Sequence, residues 1–260
     1  MGSSSSPYDR QFFDERTAGS LRSASRILPR VLELVPAQSV LDVGCGVGTW
    51  VKAMLDLGVT DCIGVDGDYV AADDLLISSN QFRSMDLKNP TPLNKRFDLV
   101  MSLEVAEHLP IEIAEPFVHF LISHGDVILF SAATPLQGGT DHRNEQWPSY
   151  WAKLFAQHGY FAIDCLRLSF FNDDQVDWWY AQNMIMYVSK GARQRYPGLR
   201  DLPAVEPAEL ASLVHPKLLE RWAQQVTDRL STASFRELMH VLPHAFKKSL
   251  DHRLRNIVSR

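Results

Sequence analysis

The chain has 260 residues, of which 45% are hydrophobic and 22% are charged, and its formal net charge is −5. These values exclude a disordered or fibrous protein, and no apolar run reaches the roughly 18 residues that a membrane span requires. The three cysteines are widely spaced and form no CxxC pair, which argues against a disulfide framework or a structural zinc site. With no secretory signal at the amino terminus, we expect a soluble, cytoplasmic protein with a sizeable core.

Apolar runs of strand length alternate with helix-length segments from Leu21 to about Lys190, which predicts a mainly parallel sheet with helices between its strands. Strands are predicted at 39–43, 62–66, 81–85, 97–102, 126–131, 161–168 and 183–188. Helices are predicted at 20–35, 48–57, near 69–77, 110–123 and 148–158, with Pro110 at a first helical position. The polar turn 172–177 leaves so short a connection that the last two strands are expected to be antiparallel.

The first predicted strand contains an acid, Asp42, and leads into a loop with glycines at every second position, Gly44, Gly46 and Gly48. Such glycines let a ligand approach bare backbone. The spacing differs from the GxGxxG loop that seats a pyrophosphate on a helix, because Thr49 stands at the third glycine position. A carboxylate before the loop repels phosphate, so the pattern favours a ligand with a cationic end.

Two further acids follow the next two predicted strands. Asp66 ends the second strand, 24 residues after Asp42, and Asp86 follows the third. Because the carboxyl ends of parallel strands meet at one edge of an open sheet, the three acids are expected to lie together where such sheets bind ligands. Asp66 and Asp86 each have a structural alternative as well. Asp66 alone could form a strand-end turn, and Asp86 could cap the turn before Asn89.

The fourth predicted strand runs into the sequence SLEVAEH, from Ser102 to His108. With this motif and the three acids, residues 20–190 resemble the class I S-adenosylmethionine-dependent methyltransferases. The first-strand pattern of that family is [D/E]xGxGxG, and many of its small-molecule members read SxEVxEH after the fourth strand. The resemblance implies a Rossmann-like, doubly wound α/β sheet of seven strands with the last strand antiparallel, and a carboxyl-terminal helical extension follows it here.

The resemblance also implies S-adenosylmethionine as the cofactor and a set of residues that bind it. Four residues of the first loop would hold the methionyl end, two would hold the ribose, three would hold the adenine, and three after the fourth strand would complete the pocket. The residues for the methionyl end are Asp42, Gly44, Cys45 and Gly46, and those for the ribose are Asp66 and Gly67. The residues for the adenine are Met85, Asp86 and Leu87, and those after the fourth strand are Ser102, Leu103 and Glu104.

Two histidines are candidates to take the proton from an acceptor hydroxyl. His108 follows the fourth strand, and His142 lies in the polar segment 138–151 after the fifth, with Glu145 as a candidate orienting partner. The alternatives are that His108 stabilises the loop before Pro110, and that Asn144 and Glu145 cap the next helix. Asp141, His142 and Glu145 could ligate a divalent metal, but their spacing is not a metal signature, and we predict no metal.

The acceptor is predicted to be small and polar. Amine-methylating enzymes of nucleic acids usually carry [N/D/S]PP[Y/F/W] after the fourth strand, where this chain has Ser102-Leu103-Glu104-Val105, and it lacks a basic patch with interleaved aromatic residues. The histidines favour O-methylation of a sugar or natural-product intermediate, with no nucleic acid or membrane as partner. Two alternatives stay open: an enzyme of this fold that catalyses another displacement or an elimination, and a binding or scaffold protein.

The chain is predicted to have three parts. Residues 1–19 form a leader and candidate cofactor lid, 20–190 the methyltransferase domain, and 191–260 a helical extension that follows a proline-marked linker. Two apolar stripes of this extension could pack on the sheet or on a second subunit, so a homodimer or a hetero-partner is an open expectation. The stripes are Leu218, Leu219, Trp222, Val226 and Leu230, and then Phe246, Leu250, Leu254 and Ile257.

Overall fold

The computed structural model describes residues 10–232 and residue 234. The strands are β1 (Ser39–Val43), β2 (Asp61–Asp66), β3 (Phe82–Ser84), β4 (Leu99–Leu103), β5 (Val127–Ser131), β6 (Tyr160–Ile163) and β7 (Ile185–Ser189). The helices are α1 (Arg10–Leu34), α2 (Thr49–Asp56), α3 (Ala114–His124), α4 (Pro148–Gln157), α5 (Arg167–Phe170), α6 (Trp178–Asn183), α7 (Lys190–Arg195), α8 (Pro197–Arg200) and α9 (Pro216–Thr232).

The seven strands form one sheet in the order β3-β2-β1-β4-β5-β7-β6. The pairs from β3 to β5 are parallel, and β7 runs antiparallel to both β5 and β6. This confirms the predicted doubly wound sheet with its last strand reversed. Because the strand order changes direction between β1 and β4, the crevice beyond their carboxyl ends is where an open α/β sheet binds ligands.

Each face of the sheet packs against its own layer of helices. The neighbouring residues Val40 and Leu41 in β1 belong to opposite cores, because successive side chains of a strand point to opposite faces. Val40 lies in the core that contains residues of α1 and α2, and Leu41 in the core that contains residues of α3 and α4. Both faces of the central strands are therefore buried, as a mainly parallel sheet requires.

Several predicted boundaries differ from the structure. Helix α1 begins at Arg10 rather than at residue 20, and α3 begins at Ala114, after the 3-10 turn Ile111–Ile113 that follows Pro110. The apolar run 161–168 is not one strand: β6 ends at Ile163 and α5 begins at Arg167. The connection to β7 thus contains α5 and α6 instead of a single turn, although the antiparallel pairing of β6 and β7 is as predicted.

The chain divides into two compact units between His215 and Pro216. In the first unit, the Val205 amide donates to the Ala162 carbonyl over 2.9 Å, and the Gly198 backbone packs closely on Leu34 of α1. The sheet unit therefore extends beyond residue 190, where the sequence analysis ended it.

The second unit contains α9, on which the first apolar stripe lies; its residues Leu219 and Val226 are exposed. The second stripe, Phe246, Leu250, Leu254 and Ile257, lies outside the described residues. No helix within the described ranges is long and apolar enough to cross a membrane.

Candidate active site

The glycine loop at the tip of β1 is the first part of the site. Gly44 has φ +84°, and a Cβ there would lie 2.3 Å from Cγ2 of Val105, so a side chain is excluded by both strain and contact. Gly46 also has positive φ, but a Cβ there would meet nothing within 4 Å. The loop therefore presents bare backbone to open space at Gly46.

Asp42 carries a buried carboxylate beneath this loop. The residue is 2% exposed, and its Oδ2 has no hydrogen-bond partner among the described residues. Burial, and to a lesser extent the charge of Asp66, raises the pKa of Asp42 to about 8. An unpartnered buried carboxylate is costly unless a cation compensates it, so this position suits a ligand with an ammonium group.

Asp66 joins the tips of β1 and β2. Its Oδ2 accepts a hydrogen bond from the Gly46 amide at 2.6 Å, and its Oδ1 accepts one from the Gly67 amide at 2.7 Å. The Tyr69 hydroxyl also donates to Oδ1. The carboxylate is therefore oriented by two backbone amides, and a ligand diol at this place would have to displace the Tyr69 hydroxyl.

The segment after β3 contains the predicted adenine-binding residues. Met85 is buried, Leu87 is half-buried, and the Met85 amide donates to the Asp66 carbonyl over 2.7 Å. Asp86 is exposed, and its Oδ1 caps the following turn by accepting from the Lys88 amide at 3.0 Å. The capping alternative considered for Asp86 is thus observed, next to the two apolar residues that were predicted to cover a ring.

The segment that begins at the end of β4 carries the other predicted cofactor residues. Leu103 is buried, and Ser102 is buried with an Oγ that has no hydrogen-bond partner in the described part of the chain. Cys45 in the glycine loop is also buried, and burial raises the pKa of its thiol well above the usual range. The Cys45 thiol donates to the Gly46 carbonyl over 3.4 Å, so among the described residues it is Ser102 Oγ, and not the thiol, that lacks a partner.

Glu104 is held by side-chain amides from two segments that are distant in the sequence. Its Oε2 accepts from Gln137 Nε2 at 2.8 Å, and its Oε1 accepts from Asn183 Nδ2 at 3.0 Å. Burial raises the pKa of Glu104, while hydrogen bonds from Asn183, Ser131 and Gln137 oppose that rise. Gln182, which is fully buried, donates to Gln137 and completes the network. The run of amides 182–183 before β7 was the available sequence signal.

The two predicted histidines lie side by side. The rings of His108 and His142 meet edge to face, with centroids 4.8 Å apart. Nδ1 of His142 lies 2.9 Å from Oε1 of Glu145, so the predicted pairing of these two residues is present. Because an ionised carboxylate only accepts, Nδ1 carries the proton and Nε2 of neutral His142 is left as an acceptor.

The loop that carries His142 is fixed by its neighbours. The Glu145 carboxylate accepts from the amides of Leu136, at 2.8 Å, and Gly138, at 2.9 Å. Neither Glu145 nor Asn144 caps α4, whose N-cap residue is Trp147 and whose first helical residue is Pro148. The helix-capping alternative for this segment is therefore wrong.

Glu107 is a buried acid that the sequence analysis quoted only as part of the motif. It is 1% exposed, and its backbone carbonyl accepts from the amides of Arg143, at 2.7 Å, and Asn144, at 3.0 Å. Its Oε2 has no partner among residues 10–232 and 234. Burial, followed by the charge of Glu104, raises the pKa of Glu107 well above that of an ordinary glutamate. Its carboxylate thus stands next to the histidine pair with unused hydrogen-bonding capacity.

Comparison with known proteins identifies the fold and family. A family described as "Methyltransferase domain" matches residues 13–226. DesVI of Streptomyces venezuelae is similar in structure, with a TM-score of 0.52 and 15% identity over 69% of this chain and 95% of that one. A SAM dependent methyltransferase from Archaeoglobus fulgidus gives a TM-score of 0.50 and 17% identity, covering 70% of this chain and 100% of that one.

The sugar N-methyltransferase KedS8 from a Streptoalloteichus species gives a TM-score of 0.50 and 16% identity, covering 73% of this chain and 98% of that one. At such identities the structural likeness concerns the fold alone. No curated protein sequence matches the chain significantly.

Proposed function

The chain belongs to the S-adenosylmethionine-dependent methyltransferases, and from that premise we propose that it methylates a hydroxyl group of a small polar acceptor, such as a sugar or a natural-product intermediate. The observation that carries the proposal is His142, whose Nδ1 is bound to Glu145 and whose Nε2 is left to accept a proton. An amine can react through its lone pair before it loses a proton, whereas a hydroxyl gains most from a base, so this pair favours oxygen as the methylated atom.

The crevice fits the cofactor of the family. Asp42 offers an unpartnered carboxylate to the ammonium end, Gly46 offers open backbone, and Asp66 offers an oriented carboxylate to the ribose diol. Met85 and Leu87 would cover the adenine. Bound here, S-adenosylmethionine supplies a methyl group on a positively charged sulfur, which is already activated for displacement.

The residues of this chain handle the acceptor and its proton. We assign the hydroxyl proton to Nε2 of His142, and the Glu145 carboxylate stabilises the imidazolium that forms. His108, whose ring contacts His142, is the second histidine at this place. Glu104, held by Gln137 and Asn183, is suited to accept hydrogen bonds from further hydroxyl groups of a polar acceptor.

The other expectations from the sequence stay proposals. The three cysteines are free, and two of them are buried, which agrees with the reducing cytoplasm that we propose as the location. We propose a small molecule, and neither nucleic acid nor membrane, as the partner. We also propose that the carboxyl-terminal helices contact a second copy of the chain or another protein.

The reaction is tested by product analysis. The purified protein is incubated with S-adenosylmethionine and with matched panels of sugars and polyols on one side and amino sugars on the other. We expect S-adenosylhomocysteine to accumulate in step with a methyl ether on a hydroxyl acceptor. Methylation of amino groups alone would overturn the assignment to oxygen. Acceptor loss without S-adenosylhomocysteine would support a reaction other than methylation.

The ribose assignment predicts a loss of cofactor affinity in Asp66→Ala. We expect the dissociation constant for S-adenosylhomocysteine to rise by about tenfold or more, because a charge-assisted hydrogen-bonded pair contributes roughly 1.5–3 kcal/mol. Isothermal titration calorimetry measures it, with Asp68→Ala as the matched control, since Asp68 is an exposed acid two residues away. Unchanged affinity in Asp66→Ala would contradict the assignment.

Removal of the Tyr69 hydroxyl is expected to strengthen the binding of S-adenosylhomocysteine. This hydroxyl donates to the Asp66 carboxylate, to which a ribose diol would also donate, so the two compete. In Tyr69→Phe, S-adenosylhomocysteine should bind about fivefold more tightly, because a net hydrogen bond of about 1 kcal/mol need not be broken. The ring and its packing on Gly67 are kept. Weaker binding would show that the hydroxyl assists the cofactor instead of competing with it.

A further inference from the structure

Glu107, His108 and His142 bring one carboxylate oxygen and two imidazole nitrogens together at the edge of the crevice. One ligand atom of each residue lies within 4.8 Å of those of the other two. We propose that these three residues form a binding site for a divalent transition-metal cation, of the class represented by Mn²⁺ and Zn²⁺. This set differs from Asp141, His142 and Glu145, the group that was considered and set aside from the sequence, and the proposal departs from the expectation that no metal binds.

The Glu107 carboxylate is the observation that points to a ligand. It is 99% buried, and within the described residues its Oε2 has no hydrogen-bond partner. Its backbone is fixed by the Arg143 and Asn144 amides, which belong to the same loop as His142. The backbone amides of Glu107 and Ala133 also bond this carboxylate, which leaves Oε2 as its unpartnered oxygen. A buried carboxylate oxygen without a partner is destabilising unless a cation or proton compensates it, and this carboxylate lies beside two nitrogen ligands.

His142 already has the environment of a metal-binding histidine. Such histidines commonly donate their other ring N–H to a carboxylate, which fixes the tautomer and raises the basicity of the ligating nitrogen. Here Nδ1 of His142 is bound to Glu145 at 2.9 Å, and Glu145 is itself held by the amides of Leu136 and Gly138. Nε2 is thereby left for the cation.

The set of donors selects the kind of cation. Two imidazoles and one carboxylate suit transition metals better than Mg²⁺ or Ca²⁺, which prefer oxygen ligands alone. Three protein ligands leave coordination positions open, as catalytic metal sites do. His108 is exposed, so the cation can enter from solvent. The negative charges of Glu104 and Glu145 lie close enough to act on Glu107, and they would also attract a cation.

The use of the cation rests on the proposed O-methylation, and the cation would replace Nε2 of His142 as the group that promotes loss of the hydroxyl proton. Binding of the cation rests on neither the O-methylation nor this role. An acceptor hydroxyl coordinated at an open position would lose its proton more easily, because the cation stabilises the alkoxide. With the cation bound, Nε2 of His142 is a ligand, and the proton passes to solvent water. The methyl group then forms its bond to oxygen as its bond to sulfur breaks, and the electron pair of that bond stays on sulfur.

Metal titration of the full-length protein tests the site. After dialysis against a chelator, Mn²⁺ is added and the free ion is followed by electron paramagnetic resonance, while Zn²⁺ binding is measured by calorimetry. We expect one saturable site. In Glu107→Gln and in His142→Ala the dissociation constant should rise by about tenfold or more. Glu112→Gln and His119→Ala, which change an exposed glutamate and an exposed histidine outside the cluster, should bind like the unaltered protein.

Three results would decide between the two proposals. Absence of saturable binding, or equal affinity in Glu107→Gln and the unaltered protein, overturns the metal site. Calorimetric binding of S-adenosylhomocysteine by each variant, together with its circular dichroism spectrum, shows that the variant is folded. Full methylation by the chelated enzyme without any metal binding leaves the methyltransferase proposal standing and removes the metal site. Binding of the cation without methylation of any hydroxyl acceptor leaves the metal site standing and overturns the proposed O-methylation.

Discussion

In His142→Ala, kcat for methylation of a hydroxyl acceptor should fall about 100-fold, while the dissociation constant for S-adenosylhomocysteine stays unchanged. The side chain of His142 is only 13% exposed and is oriented by Glu145, so alanine removes a preorganised group and not a mobile one. The loss is expected whether Nε2 accepts the proton itself or binds a cation that acidifies the hydroxyl. Steady-state kinetics and calorimetry on the same preparation measure the two quantities.

The control for this experiment is His119→Ala, because His119 is an exposed histidine of α3 that lies outside the cluster. His108→Ala should reduce kcat by a similar factor, since the two rings are in contact. If His108→Ala and His142→Ala both turn over at the rate of the unaltered enzyme, the histidine pair has no part in the chemistry. A rise in KM with unchanged kcat in His142→Ala would assign the residue to acceptor binding alone.

The sheet was predictable because its signals are local. The apolar runs of β1, β2 and β5 each adjoin a glycine or an acid at one end, and the predicted bounds fall within one residue of the observed ones. The run 161–168 could not be read correctly, because it contains Arg167, whose side chain is fully buried and pairs with Asp164. Asp164 is a local partner three positions away, but the burial of the guanidinium and its donation to the Ala211 carbonyl come from the tertiary structure.

The site was predictable to the extent that strand ends determine it. Asp42 and Asp66 lie near each other because parallel neighbouring strands end at one edge, and Glu145 reaches His142 because they are three positions apart in one loop. The amides around Glu104 come from two distant segments, and the isolation of Glu107 is a result of burial. The adjacent amides 182–183 are visible in the sequence, but their contact with Glu104 and the burial of Glu107 depend on how loops pack across the crevice.

The pH dependence of cofactor binding should reveal Asp42. Burial, with a smaller contribution from Asp66, raises the pKa of Asp42 to about 8 in the ligand-free protein, so at pH 6–7 the carboxyl is mostly protonated. An ammonium group bound at Asp42 stabilises the ionised form, and binding therefore expels a proton. By linkage, the affinity for S-adenosylhomocysteine should rise about tenfold per pH unit between about pH 6 and 7.5 and level off near the pKa.

The raised pKa of Asp42 also makes the free energy of unfolding depend on pH. Because the pKa of Asp42 is higher in the folded state than the roughly 3.9 of an unfolded chain, the folded protein binds more protons between about pH 4 and 8. The contribution of Asp42 to the free energy of unfolding is therefore complete below about pH 4 and is lost as the pH rises to about 8.

Calorimetry in buffers of different ionisation enthalpy measures the released proton directly. At pH 7 we expect close to one proton per bound S-adenosylhomocysteine, since Asp42 passes from mostly protonated to ionised. Asp42→Asn removes the titrating group with little change in shape, so both the proton release and the pH dependence should disappear. Asp68→Asn, which changes an exposed acid just beyond the end of the neighbouring strand β2, should retain both. Proton release that persists in Asp42→Asn would assign the titration to another group and remove Asp42 from the ammonium site.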